Sequence, residues 1–355
     1  MLFYQNLRRD LIKTMQILKL DKKNLNEFIF SLNDFGEVHA PVKKGDKQFV
    51  FSKLTDFSRI ELEYTRTILP PKKYFHPPTD ILFKFSQEKG YRSLTEELEK
   101  KYVVFGLHSC DIYAIKILDL IFAGEFVDDR YFTRRNNIVI IGLDCIPDDK
   151  CFCRSMRADF VEDGFDLFLS DIGNSYLVRV GTGRGDDMVR KTQDLFKEVD
   201  RKDIAEYKRR SDEKKNLFKV DIELSDLPEI MDLEYESKVW EEIGKECLSC
   251  GSCSMVCPTC YCYDVFDEIN LDANHGVRKR QWDSCLFKDY ALVAGGHNFR
   301  AERSSRVKNR FFHKQRGFVA QYGRPSCVGC GRCIEACPAK IDIIEVINRI
   351  RCVKL

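Results

Sequence analysis

The chain has 355 residues, of which 44% are hydrophobic and 32% are charged, and its formal net charge is +2. A globular protein of roughly two or three domains is expected, and the small net charge implies no general attraction to nucleic acid. No signal sequence opens the chain and no apolar run reaches the length of a membrane span, so we expect a cytoplasmic protein without a membrane partner. Sixteen cysteines in such a chain predict metal ligation in a reducing compartment.

Apolar strand-like runs alternate with helical patterns in the first part of the chain, which predicts an α/β domain over residues 1–235. Residues 101–107 (KYVVFGL) predict a buried strand, and residues 137–143 (NIVIIGL) predict a second one. The helix predicted to begin at Asp111 has apolar residues at a helical period, namely Ile112, Ile115, Leu118 and Phe122.

Four cysteines of this region follow the two predicted strands. Cys110 and Cys145 lie a few residues beyond the strand ends, where α/β folds place ligands, and Cys151 and Cys153 follow in the string CFC. Four thiolates are the usual ligand set of an iron–sulfur cluster, so we predict a third cluster here. The alternative is that these cysteines are small buried apolar residues.

The charged stretch 196–215 predicts a solvated helix without a function of its own. The string GTGRGDD at residues 181–187 begins like a dinucleotide-binding fingerprint, but Asp186 occupies the place of its third glycine, so we predict a turn. We therefore expect neither a flavin nor a nicotinamide on this chain.

Two copies of one cysteine signature, CxxCGxCxxxCP, lie near the C-terminus. Three thiolates of one tight turn can each reach a different iron of a [4Fe-4S] cubane, while the fourth cysteine points toward a second cluster. We therefore predict crossed ligation, with iron bound through these eight cysteines. The first cluster is assigned to Cys247, Cys250, Cys253 and Cys337. The second is assigned to Cys327, Cys330, Cys333 and Cys257.

Structural zinc is the main alternative to clusters. A zinc site uses two separated CxxC pairs in a tetrahedral set, which explains neither the third cysteine of each turn nor the CP ending. Gly251 and Gly331 follow the second cysteine of each motif, where the missing Cβ lets backbone N–H groups approach the inorganic sulfides.

The composition of residues 236–355 predicts a helical dicluster ferredoxin domain with an insertion between its two motifs. We find no alternating strand pattern in the insertion. It contains Cys260, Cys262 and Cys285, for which two interpretations stay open: packing residues beside the clusters, or a site completed by a non-cysteine ligand.

Six basic residues of this region are expected either to raise the reduction potential of an anionic cluster or to form a solvated face. They are Arg278, Lys279, Arg280, Arg300, Arg303 and Arg306.

Six strings across the chain resemble the beta subunit of archaeal cytoplasmic sulfhydrogenase, the NAD(P)-linked [NiFe] hydrogenase. They are LEYTRTILPPKKYF (62–75), FGLHSCDIYAIKILD (105–119), CFCRSM (151–156), CPTCYC (257–262), AGGHNFR (294–300) and CVGCGRC (327–333). The insertion and the cluster domain are also similar to the electron-transfer subunit of anaerobic sulfite reductase.

The resemblance implies a non-catalytic electron-transfer subunit of an oxidoreductase complex. Its partners would be a gamma-type flavin subunit that exchanges hydride with NADPH or NADH, and the small and large subunits of a [NiFe] hydrogenase. The family is also described as reducing sulfur or polysulfide. The alternatives are an electron-transfer component of a sulfite reductase, and a structural or regulatory iron–sulfur protein.

Overall fold

The computed structural model of the chain describes residues 15–93, 98–271 and 274–352. Its strands are β1 Ile17–Asp21, β2 Glu37–Gly45, β3 Gln48–Lys53, β4 Thr79–Ser86, β5 Gly90–Ser93, β6 Tyr102–Leu107, β7 Ile138–Leu143, β8 Leu167–Asp171, β9 Ser175–Val180, β10 Phe196–Glu198, β11 Tyr263–Ile269 and β12 His275–Trp282.

The α-helices are α1 Leu25–Ser31, α2 Lys72–Phe75, α3 Ser109–Phe122, α4 Asp129–Asn137, α5 Gly183–Lys191, α6 Arg201–Asn216, α7 Leu227–Leu233, α8 Val239–Glu246, α9 Ser252–Met255, α10 Arg303–Phe311, α11 Phe318–Tyr322, α12 Arg332–Glu335 and α13 Ile343–Arg351. Short 3-10 helices span Lys22–Asn24, Leu32–Asp34, Phe57–Arg59 and Gln193–Leu195, and a π-helix spans Phe312–Gly317. No helix in the described ranges is long and apolar enough to cross a membrane.

An eight-stranded sheet forms the centre of the N-terminal region, in the order β10-β1-β9-β8-β7-β6-β2-β3. Strands β8, β7, β6 and β2 run parallel to one another, and the outer pairs are antiparallel. The two runs predicted as strands are the adjacent strands β6 and β7. Their carboxyl ends therefore meet at one edge of the sheet, just before Cys110 and Cys145.

Alternating residues of β6 and β7 enter two different cores, because successive side chains of a strand point to opposite faces. Val103 and Val139 pack on one face, together with residues of α1 and α5. Val104 and Ile140 pack on the other face, where all four predicted apolar positions of α3 are also buried. The predicted α/β unit is thus present.

Helix α3 is buried on two sides. Ile112 and Ile115 pack against the sheet, whereas Cys110, Ala114 and Ile117 belong to a third core that contains the helices of the C-terminal region. Because α3 contributes to both cores, it joins the sheet to the cluster-motif region.

The insertion between the cysteine motifs contains two strands, so the expectation of no strand pattern there is wrong. Strands β11 and β12 form a hairpin, and β12 also pairs with β4 in a four-stranded antiparallel sheet of order β11-β12-β4-β5. Strand β11 is exposed throughout. The buried positions of β12 are Gly276, Arg280 and Trp282. The alternation of buried and exposed positions is not visible as an apolar pattern in the sequence, because two of the buried residues are a glycine and an arginine.

A buried charge network holds this hairpin against the N-terminal region. Asp80 on β4 accepts hydrogen bonds from Arg280 at 3.0 Å, Arg134 at 2.7 Å and Arg130 at 2.8 Å. Arg280 also pairs with Asp128. Burial alone would raise the pKa of Asp80, but the hydrogen bonds and charges of Arg130 and Arg134 hold it well below its usual range. The insertion and the N-terminal region are therefore packed together across the sheet.

Helix α6 matches the predicted solvated helix, since none of its residues is fully buried. The stretch 196–198, assigned to the same helix from the sequence, is instead the edge strand β10. The string GTGRGDD makes only a short turn before α5 begins at Gly183, capped by the Thr182 side chain, which accepts a hydrogen bond from the Gly185 N–H.

Candidate iron–sulfur site

The two cysteine motifs fold into equivalent turns. Ser249 and Gly329 stand at matching positions with φ angles of 54° and 65°, and each backbone N–H donates to the first cysteine of its motif, to the Sγ of Cys247 and Cys327 respectively, at 3.4 Å. Such N–H donors stabilise thiolates that ligate iron. The repetition supports one kind of ligand chemistry for both turns.

The glycine of each motif is required by its backbone and by its surroundings. Gly251 and Gly331 have φ angles of 73° and 72°, in the left-handed region that favours glycine. A Cβ at Gly251 would collide with the ring of Phe287, and one at Gly331 would lie 2.7 Å from the carbonyl oxygen of Lys150. Helices α9 and α12 follow these glycines directly.

The first motif borders a partly open cavity, which we call cavity A. Cys247, Cys250 and Cys253 line it together with Cys337 of the other motif, and Cys333 also reaches it. Its remaining lining is mainly apolar, with residues such as Ile243, Leu286 and Phe311.

The second motif borders cavity B. Cys327, Cys330 and Cys333 line this cavity together with Cys257 of the first motif. Each cavity is thus lined by three cysteines of one turn and by the fourth cysteine of the other. This is the donor set that two neighbouring cubanes require.

A single-ion site is not formed in the described part of the chain, where no three Cys, His, Asp or Glu side chains come together closely enough to hold one metal ion. Four thiolates on one zinc, each at about 2.3 Å, would lie closer together than four thiolates on the four irons of a cubane. The arrangement of the motif cysteines, with three from one turn and the fourth from the other around each cavity, therefore fits a cluster better than zinc.

Two buried cations lie beside these cavities, and sequence reasoning missed both. Arg310 lines cavities A and B, and its Nη2 donates to the carbonyl oxygen of Cys253 at 3.2 Å. Lys314 lines cavity B, and its Nζ donates to the Thr259 hydroxyl at 2.9 Å. The one sequence signal that could have indicated them is that Arg310 and Lys314 are four residues apart, so that they lie on the same face of a helix preceding the second cysteine motif.

The thiolates determine the protonation of these cations. Burial would lower the pKa of Arg310, but negative charge on Cys253, Cys260 and Cys333 raises it well above its usual value. In the same way burial would lower the pKa of Lys314, and charge on Cys257 and Cys260 raises it. Both side chains are therefore positive and can stabilise an anionic cluster.

The basic set predicted from the sequence has other partners. Arg278 and Lys279 pair with Asp267 and Glu268 on the exposed hairpin, and Arg280 pairs with Asp80. Of the two interpretations left open for these residues, the pairs of Arg278 and Lys279 favour a solvated face, and Arg280 forms a buried cross-strand ion pair.

Two other arginines of that set hydrogen-bond to the first motif. Arg303 donates to the carbonyl oxygen of Cys247 at 3.1 Å, and Arg306 donates to Ser249 Oγ at 3.2 Å. Arg300 contributes its carbonyl oxygen to Arg306.

The four upstream cysteines gather at the edge of the sheet next to the second motif. Cys110, Cys151 and Cys153 are buried, and Cys145 is partly buried. Burial raises the pKa of Cys153 well above its usual value, and charge on Cys145 and Cys151 raises it further. Burial likewise raises the pKa of Cys110, with added contributions from Asp111, Cys153 and Cys330. Cys153 therefore interacts electrostatically with each of the other three thiols.

Cys145 differs from the other three in its access to solvent, because it lines a wide, open cavity. Tyr64 and Lys214 line the same cavity. Cys110, Cys151 and Cys153 are not among its lining residues.

The upstream cysteines contact the second motif directly. The Phe152 N–H donates to the carbonyl oxygen of Gly329 at 2.9 Å, and a Cβ on Gly329 would lie 2.5 Å from the backbone of Cys153. Arg66 pairs with Asp148 and donates to the carbonyl oxygen of Cys330 at 3.2 Å and to Cys151 Sγ at 3.3 Å.

Cys260, Cys262 and Cys285 line a third cavity, which we call cavity C. Arg310 and Lys314 line it as well, so Arg310 borders all three cavities. The sixteenth cysteine, Cys352, is exposed at the end of α13. All sixteen cysteines are free of disulfide bonds.

Comparison with known proteins connects this arrangement to a family. A family model described as a 4Fe-4S dicluster domain matches residues 246–341. The sulfhydrogenase 2 subunit beta of Pyrococcus furiosus is 40% identical to the chain over 338 residues, which is 95% of this chain and 99% of that protein. The resemblance found in the motif strings is confirmed. The chain therefore belongs to the sulfhydrogenase beta-subunit family and carries a 4Fe-4S dicluster domain of the kind that holds two [4Fe-4S] clusters.

Proposed function

We propose that this chain relays single electrons inside a sulfhydrogenase-like complex, between a flavin subunit that reacts with NADPH or NADH and a [NiFe] hydrogenase pair. The observation that carries the proposal is the pair of cavities A and B. They share Cys333 and Arg310 in their linings, so two clusters held there would be neighbours. Each cluster takes up or releases one electron.

The chain's own residues would hold and tune these groups. The eight motif cysteines supply the thiolates in the crossed pattern, and the N–H groups of Ser249 and Gly329 donate to the first sulfur of each motif. Arg310 and Lys314 supply buried positive charge. The apolar lining of cavity A would lower the local dielectric around the first cluster.

Crossed ligation is tested with Cys257→Ser. Cys257 belongs to the first motif but lines cavity B, so we expect its loss to alter the cluster held by Cys327, Cys330 and Cys333. EPR spectra of the reduced protein, compared with those of Cys337→Ser, should show the opposite cluster altered in each variant. A change in the cluster of Cys247 after Cys257→Ser would contradict the crossing.

A third cluster at Cys110, Cys145, Cys151 and Cys153 would extend the relay into the α/β region. The contacts of Phe152 and Arg66 with the second motif support it, since they bring these thiols beside cavity B. We expect Cys151→Ser to lower the iron content by about four atoms per chain. The control is Cys352→Ser at the exposed end of α13, and equal iron in both variants would contradict the third cluster.

The relay requires partners at both ends, because hydride delivers electrons in pairs to a flavin, whereas each cubane accepts one. We infer a gamma-type flavin subunit near one cluster and the hydrogenase small and large subunits near another, in a cytoplasmic complex. The similar Pyrococcus furiosus protein is named as part of a sulfhydrogenase, which favours this assignment over a sulfite reductase. Reduction of sulfur or polysulfide would be a second activity of the same complex.

The experiment is reconstitution from separately purified subunits. The isolated chain should show neither hydrogen uptake nor NADPH oxidation, and electron flow should return when both partners are added. NADPH oxidation by the flavin-free chain alone would contradict the assignment. Clusters that reduce but are not re-oxidised by the partners would indicate a structural or regulatory role instead.

A further inference from the structure

We propose that Cys260, Cys262 and Cys285 hold an additional iron–sulfur cluster in cavity C, ligated by three cysteines. This centre is separate from the eight motif cysteines and from the four upstream ones. The proposal depends neither on the relay partners nor on the cluster predicted at Cys110.

The hairpin of the insertion brings the three cysteines together. Tyr263 and Trp282 are paired residues at its base. The next residues outward are Cys262 and Asp283, and the Asp283 N–H donates to the carbonyl oxygen of Cys262 at 2.9 Å. The base of the hairpin therefore places Cys285 beside Cys260 and Cys262, although more than twenty residues separate them in the chain. All three side chains line cavity C.

Helix α2 contributes a third buried cation at this place. Lys72 is 2% exposed, its Nζ donates to the carbonyl oxygen of Cys260 at 2.7 Å, and it lies 3.9 Å from the centre of the Trp282 ring.

These cations have no carboxylate partner within the described ranges. Lys72 bonds to a carbonyl oxygen, Lys314 bonds to a hydroxyl, and Arg310 bonds to a carbonyl oxygen and lies 3.7 Å from Cys260 Sγ. A buried cation without an anion is costly. The anions available around them are thiolates, and a thiolate-bound cluster carries the negative charge that balances them.

The three thiols line one cavity without forming a compact site for a single ion. As with the other cysteines, no group in the described part of the chain is close enough to hold a single metal ion. Cavity C also adjoins the dicluster domain, because Arg310 lines it together with cavities A and B, and Lys314 lines it together with cavity B. A cluster there is positioned to exchange electrons with the one held in cavity B.

Three cysteines leave one iron of a cubane without a thiolate. Cavity C contains an imidazole, His313, and a carboxylate, Asp283, that could replace it. Asp283 also lines a neighbouring open groove, and Tyr290 of that groove donates to Cys262 Sγ at 3.4 Å. This iron would therefore be the one that an exogenous ligand can reach.

The test is metal analysis of the anaerobically purified full-length chain in a Cys151→Ser, Cys153→Ser background, which leaves only two upstream cysteines and so removes any cluster there. About 12 irons per chain are expected if cavity C is loaded, and about eight if only the dicluster domain is. Adding Cys285→Ser or Cys262→Ser should lower the count by about four, with the EPR signals of the dicluster retained as the sign of a folded protein. Adding Cys352→Ser should leave it unchanged.

Each outcome decides the proposal. About eight irons in the background protein would overturn it, and so would stoichiometric zinc that disappears with Cys285→Ser. If both serine variants fail to fold, the count in the background protein alone decides. Addition of 2-mercaptoethanol should change one EPR component of the background protein, and a spectrum without change would refute the reachable iron.

Discussion

Replacing Asp111 by asparagine is expected to destabilise the folded protein by about 3 to 5 kcal/mol, because it leaves a buried guanidinium without its counter-charge. Arg332 and Asp111 have side chains exposed by only 2% and 0%, and their two hydrogen bonds measure 2.6 and 2.9 Å. Arg332 also donates to the carbonyl oxygen of Thr67 at 3.0 Å. The pair joins the second cysteine turn to the start of α3, so its loss should also loosen the support of that motif.

The matched control is Asp232→Asn, which breaks the half-exposed pair with Arg316 and should cost about 1 kcal/mol or less. Thermal bleaching of the cluster absorbance, followed at one heating rate for all variants, provides the comparison. The double variant Asp111→Leu with Arg332→Met should recover much of the loss, since it removes both charges together. Equal midpoint temperatures of bleaching for Asp111→Asn and Asp232→Asn would show that the buried pair contributes no more to stability than the exposed one.

Replacing Arg310 by glutamine is expected to lower cluster reduction potentials by on the order of 100 mV. A unit charge about 7 Å from a cluster, at an effective dielectric constant of about 20, contributes about 2.4 kcal/mol for each electron. Arg310 lines all three cysteine cavities and its pKa is raised by their thiolates, so its positive charge favours the reduced, more negative state. EPR-monitored redox titration measures the change.

Two further variants separate charge from packing. Arg310→Lys keeps the positive charge and should shift the potentials much less than the glutamine variant. Arg316 lies further along the same helical segment and pairs with Asp232 at the surface. Arg316→Gln should therefore leave the reduction potentials nearly unchanged, because solvent screens the charge of Arg316. Equal potentials in Arg310→Gln and the wild type would exclude Arg310 as the tuning residue.

The cluster domain and the central strands could be predicted from the sequence because their signals are local. The CxxCGxC spacing describes one turn, and the φ angles of Gly251 and Gly331 are those that its glycines allow. The strands β6 and β7 are continuous apolar runs, as expected for parallel strands covered on both faces. Helix α3 is recognisable because its apolar residues repeat at the helical period.

The fold of the insertion and the burial of the charged residues beside the cysteines are determined only by the tertiary structure. The hairpin is held by the pairing of β12 with β4, a strand about two hundred residues earlier in the chain, and by the buried Arg280–Asp80 ion pair. In the sequence these two charged residues give no sign that they are buried. Lys72 and Arg310 meet Cys260 from distant parts of the chain. A charged residue in a sequence is usually assigned to the surface, and only the fold determines whether burial against thiolates makes it part of a site.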